Sequence, residues 1–194
     1  MKSPGVDRTT QQLNALAELA SHVARSMAGE VAAVAELAAD AVLAGRKLMF
    51  CGNGGSAADA QHLATEYVVR FREDRPALPA VALTTDTSLL TAAANDMGFE
   101  EVFARQVEAL GQPGDLLFLH STSGRSTNLL RAAEAARERG VTTVAMLARG
   151  GGELVGRVDH AIVLPTDEGA RAQELHLAIG HVICELVEER FNAD

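Results

Sequence analysis

The chain has 194 residues, 47% of them apolar and 4% aromatic, with no Trp and a formal net charge of −9. That length suits a single globular domain whose core is mostly Ala, Leu and Val. The acidic balance argues against non-specific nucleic-acid binding and basic membrane-surface contact, and no uncharged apolar run reaches the roughly 18 residues of a membrane span. The opening MKSPGVDRTTQQ lacks the apolar run of a secretory signal. Cys51 and Cys184 are too few and too far apart for a disulfide framework, so a reduced, cytoplasmic setting is expected.

Residues 8–45 carry apolar residues at helical spacing, interrupted at Gly29, which predicts two helices ending near Gly45. KLMFC (47–51) reads as a buried strand. A tight turn from Gly52 to Gly55 follows, and Ser56 can cap a helix that runs to about Arg70. REDRPALP (72–79) is a charged connection and AVAL (80–83) a second strand. Helices are expected from Asp86 to about Ala94 and over 99–110. LLFLH (116–120) is a third strand, STSGRS (121–126) a polar turn, and 127–139 a helix stopped by Gly140. TTVAML (142–147) and HAIVLP (160–165) are strands four and five, separated by the Gly-rich ARGGGE, and the last helix covers about 170–191. Continuous apolar strands alternating with helices predict an α/β fold with a five-stranded parallel sheet covered on both faces. The N-terminal helices (8–45) precede an α/β core (46–194) within one domain.

In such sheets ligands bind beyond the carboxyl ends of the strands, which singles out 52–56, 121–126 and 149–152. Gly52, Gly54 and Gly55 permit close backbone approach, and a helix opening behind them favours an anion. This turn is neither a P-loop, since no GK[ST] follows, nor a dinucleotide fingerprint. Ser121, Thr122, Ser123 and Ser126 surround Gly124, again between strand and helix. One Ser would suffice as a helix cap, so four hydroxyls favour a phosphate monoester. His62 and Glu66 share a helical face at i, i+4. Gln173 and His181 share a broad face of the last helix, with His176 near its edge. Together the two His, one Glu and one Gln offer four ligands for zinc or a similar ion, or a set of proton-transfer groups. Spacing alone does not bring the two helices together.

CGNGGSAADAQHLATE, AAANDMGFEEVFARQVEALGQPGDLL, STSGRS and QELHLAIGH occur in this order. They resemble the phosphoheptose isomerases, sugar isomerase (SIS) domain proteins, over about residues 40–190. The resemblance implies a three-layer, flavodoxin-like α/β/α sandwich and an aldose–ketose isomerase that converts sedoheptulose 7-phosphate to a manno-heptose 7-phosphate. It implies a sugar-phosphate loop at Asn53, Gly54, Gly55 and Ser56, with phosphate-binding hydroxyls at Ser121, Thr122, Ser123 and Ser126. Substrate contacts are implied at Asn95, Asp96, Glu66 and Gln173, and one zinc ion at His62, Glu66, Gln173 and His181. Glu66 and His181 are the implied proton-transfer pair. The family is a homotetramer with sites between subunits, which would employ the N-terminal helices. The chain also resembles the DnaA initiator-associating proteins, which share the SIS fold and act by binding. In those the positions of Glu66 and His181 are not acid–base residues, so the enzyme reading is favoured. Arg125 stands where the isomerases usually have Asn, and His120 where an aliphatic residue is usual.

Overall fold

The structure is a computed structural model that describes residues 3–193. Helices α1 (Pro4–Ser26) and α2 (Ala28–Leu43) come first. Then β1 (Leu48–Gly52) leads into α3 (Gly55–Val68), and β2 (Ala80–Ala82) into α4 (Thr87–Asp96). A 3₁₀ turn at Phe99–Glu101 precedes α5 (Ala104–Leu110). After it come β3 (Leu116–Ser121), α6 (Thr127–Glu138), β4 (Thr142–Leu147), β5 (His160–Val163) and α7 (Gly169–Ala193). The strands form one all-parallel sheet in the order β2-β1-β3-β4-β5.

Strand periodicity makes the three layers. Leu48 and Phe50 of β1, with Phe118 of β3 and Met146 of β4, pack under α2, α3 and α7. Met49 and Cys51, with Leu117, Leu119, Ala145 and Leu147, pack against α5 and α6 on the opposite face. Every residue of β1 and β3 is buried, which is why these strands read as unbroken apolar runs. α1 stands apart: within it only Val23 is buried, and Leu13 is 60% exposed.

Four local expectations are revised. The first two helices part at Met27, not at Gly29. Gly29 sits inside α2, while buried Met27, between buried Val23 and Val31, marks where the apolar stripe passes from one helix to the next. Ser56 does not cap α3. Gly54 takes the cap position at φ 57, a left-handed conformation that suits glycine, and Ser56 is buried in the first turn behind it. The helix expected over 99–110 is divided, because Val102 and Phe103 turn into the core between the 3₁₀ turn and α5. The Gly-rich 149–152 loop is wound into a 3₁₀ turn at Arg149–Gly151.

Candidate functional site

The sheet order reverses at β1, whose neighbours are β2 on one side and β3 on the other. Ligands of open α/β sheets bind at such a switch point. The last residue of β1, Gly52, pairs with His120 of β3, so the Gly turn and the serine loop emerge side by side. Two amide bonds tie them together. Asn53 Nδ2 donates to Asn128 Oδ1 at 2.9 Å, and Asn128 Nδ2 returns a bond to Asn53 Oδ1 at 2.8 Å. Asn128 is buried on the first turn of α6 and carries no signal in the sequence beyond that of an ordinary polar helix residue.

The serine loop keeps hydroxyls free. Ser126 occupies the N-cap of α6, yet its side chain makes no capping bond. Ser121 Oγ accepts the Gly124 N–H at 3.0 Å and shapes the turn, and Ser123 Oγ accepts the Arg125 N–H at 3.4 Å. Gly124 is required: a Cβ there would lie 1.9 Å from the Gly151 carbonyl oxygen. The 149–152 loop is therefore the floor of the serine loop. Helices α3 and α6 both begin at this edge, so their amino-terminal dipoles point at the same space as the hydroxyls.

The second half of the site lies along the seam between α3 and α7. Leu63 of α3 rests on Gly180 of α7, where any Cβ would clash at 2.5 Å. This close approach puts His62 Nε2 2.8 Å from His181 Nε2, while Glu66 Oε1, one turn further along α3, lies 3.2 Å from His62 Nε2. The three donor atoms lie within 4.8 Å of one another. Burial first, then His62 and Arg72, hold the His181 imidazole below the ordinary histidine range, with Glu66 pulling the other way. His181 is thus neutral at neutral pH and able to accept a proton. Two imidazoles and a carboxylate this close match the donor chemistry of a divalent-ion site, and His62, being exposed, leaves it open on one side. Gln173 begins the same seam. Its amide rests over Gly55, 2.7 Å from where a Cβ would stand, so in this chain it contacts the Gly turn.

The remaining sequence candidates are either exposed or buried in the core. Asn95 and Asp96 are exposed at the end of α4, where Asn95 Nδ2 donates to Asp96 Oδ1 at 2.7 Å. Arg125 is exposed. His176 is a core residue whose Nε2–H donates to the Leu147 carbonyl at 3.1 Å. His120 is buried between Phe50 and His176; burial, then His176, push its imidazole down to about 3.

Residues 11–148 match the model of the SIS domain. The phosphoheptose isomerase of Akkermansia muciniphila is 55% identical over 84% of this chain and 86% of its own length. Two solved structures of phosphoheptose isomerases superpose closely. That from Francisella tularensis has a TM-score of 0.93 at 32% identity, covering 96% of this chain and all of the other. That from Neisseria gonorrhoeae has a TM-score of 0.89 at 38% identity, covering 94% and 98%. The chain belongs to the phosphoheptose isomerase family of SIS-domain proteins.

Proposed function

We propose that this protein is an aldose–ketose isomerase that converts D-sedoheptulose 7-phosphate to D-glycero-D-manno-heptose 7-phosphate. The observation that carries the reading is the His62–Glu66–His181 cluster, set on the same helix pair that begins at the Gly turn and Gln173. The free hydroxyls of Thr122 and Ser126, those of Ser121 and Ser123, the backbone of Asn53, Gly54, Gly55 and Ser56, and two helix dipoles hold the phosphate. That fixes the sugar chain so that its first two carbons reach the seam. Glu66 removes the carbon-bound proton, giving a cis-enediol, and returns it to the neighbouring carbon. His181, neutral because burial lowers its pKa, exchanges a proton with the sugar oxygens as they swap roles. Asn95, Asp96 and Gln173 complete the substrate contacts.

His62, Glu66 and His181, with Gln173 as fourth ligand, would hold one zinc ion. When bound, it supplies Lewis-acid polarisation of the sugar carbonyl. A Glu66 engaged by an ion is a weaker base, so turnover before and after chelation, with zinc restored, separates its two roles. The sites lie between subunits of a homotetramer. In support, an apolar groove runs between α1, α2 and α7 past Val23, Val31, Ile179 and Val182, with Val182 46% exposed. A second copy of the chain covers it; sedimentation of Val182→Glu should show smaller species. Both cysteines are buried and unpaired, and no helix among the described residues is long and apolar enough to cross a membrane. These features support a cytoplasmic enzyme. A coupled assay on sedoheptulose 7-phosphate beside pentose and hexose phosphates tests the substrate. Turnover of the heptulose alone is expected, and none at all would favour a binding protein.

A further inference from the structure

We infer that Arg75 and Glu188 form a buried clamp that positions both members of the proton-transfer pair, Glu66 through its backbone and His181 through Phe71. The inference rests on the isomerase reading above. In sequence, Arg75 belongs to a charged connection and Glu188 to the polar end of a long helix. In the fold their side chains are 2% and 4% exposed, with Arg75 Nε 3.0 Å from Glu188 Oε1. So deep an ion pair is costly to desolvate unless its remaining donors and acceptors are also engaged. Here they are.

Arg75 Nη2 donates to the backbone carbonyl of Glu66 at 2.7 Å. Its Nη1 donates to the carbonyls of Tyr67 at 2.9 Å and Pro76 at 3.1 Å. Glu66 and Tyr67 lie in the last turn of α3, whose carbonyls have no partner within the helix. The guanidinium is thus the cap of the helix that carries His62 and Glu66, and its charge complements the negative end of the helix dipole. Glu188 does the matching work on the following loop. Its Oε1 accepts the Phe71 N–H at 3.2 Å, and its Oε2 accepts those of Arg72 at 2.9 Å and Glu73 at 3.0 Å. Three successive amides are pinned, and the first bears the ring that stacks on His181, with centroids 5.4 Å apart and planes 26° from parallel. The Arg72 guanidinium lies 5.2 Å from that ring and pairs with Glu185 on α7. One ion pair therefore sets the end of α3 under Glu66 and the aromatic wall beside His181. The phosphate is held at the opposite end of α3 and by the serine loop, so loosening the clamp should cost chemistry and spare binding.

The test uses Arg75→Lys and Glu188→Gln in the full chain, with circular dichroism to establish folding. Misplacing reacting groups by about 1 Å costs about 100-fold, so kcat on sedoheptulose 7-phosphate should fall about 10- to 100-fold while KM changes less than about threefold. Millimolar guanidinium should restore part of the turnover of Arg75→Ala and none of that of Glu66→Gln. Phe71→Leu, which leaves the ion pair intact, should lower kcat several-fold with KM unchanged. Unaltered kcat in the folded pair variants, or KM rising as far as kcat falls, would overturn the inference. Should the pair variants not fold, Phe71→Leu decides, and full kcat there overturns it. If the wild type turns over no sugar phosphate, the isomerase reading fails separately. The clamp is then read by NMR, as an upfield ring-current shift of the His181 protons that Glu188→Gln should abolish, and an unchanged shift counts against it.

Discussion

The turns after β1 and β3 and the seam between α3 and α7 present opposite chemistry. At the turns the groups are neutral: hydroxyls, backbone amides and an Asn–Asn pair, backed by two helix dipoles. At the seam they are ionisable: two imidazoles and a carboxylate within 4.8 Å, framed by a buried ion pair. A phosphate keeps its charge throughout an isomerisation and needs only to be held. Carbons that lose and regain protons need groups that change charge. The contrast predicts that damage at the seam appears in kcat and damage at the turns in KM.

The largest effect should come from Glu66→Gln or His181→Gln. Loss of general acid–base catalysis costs about 10²- to 10⁴-fold in kcat, with KM nearly constant, in steady-state kinetics. Full activity in both variants would break the contrast. Ser126→Ala and Thr122→Val remove hydroxyls with no structural bond of their own to lose. A hydrogen bond to a charged group contributes about 1.5–3 kcal/mol, so KM should rise about tenfold or more with kcat little changed. Asn53→Ala leaves the buried Asn128 amide without its partner. It should lower the unfolding free energy by about 1–3 kcal/mol in urea titrations and loosen the join between the two turns. A pH dependence from His120 comes last. Its folded pKa is pushed down to about 3, so between the ordinary histidine value and that point the unfolded chain binds the proton and the native chain does not. Stability is therefore full near neutrality and falls as pH drops, by about 1.4 kcal/mol per unit from this group, and His120→Leu should flatten the slope.

The two regions also differ in how far the sequence discloses them. The sheet was legible because strands covered on both faces are continuous apolar runs, as in LLFLH. The turns were legible as Gly- and Ser-rich segments at strand ends. Their connection was not, because Asn128 looks like any polar residue in a first helical turn until its burial is known. The break at Met27 escaped the same reading: Gly29 is the weaker helix former, but packing of Met27 decides the turn. The i, i+4 pair of His62 and Glu66 was visible, whereas their meeting with His181 depends on the contact of Leu63 with Gly180 across 117 residues. Arg75 and Glu188 were invisible as a pair for the same reason, since each looks like a solvated charge. Ligand types can be read from one sequence; the helix pairing that assembles them cannot be read from spacing.

Proton transfer at the seam is tested most directly by running the conversion of sedoheptulose 7-phosphate in D₂O and examining the heptose phosphate by NMR. The proton held on Glu66 exchanges with solvent during the life of the cis-enediol, so deuterium should appear at C2 of the product with the wild type, and Glu66→Gln should form product about 10²- to 10⁴-fold more slowly. The same deuterated product from Glu66→Gln at undiminished rate would contradict the assignment of Glu66 as the base.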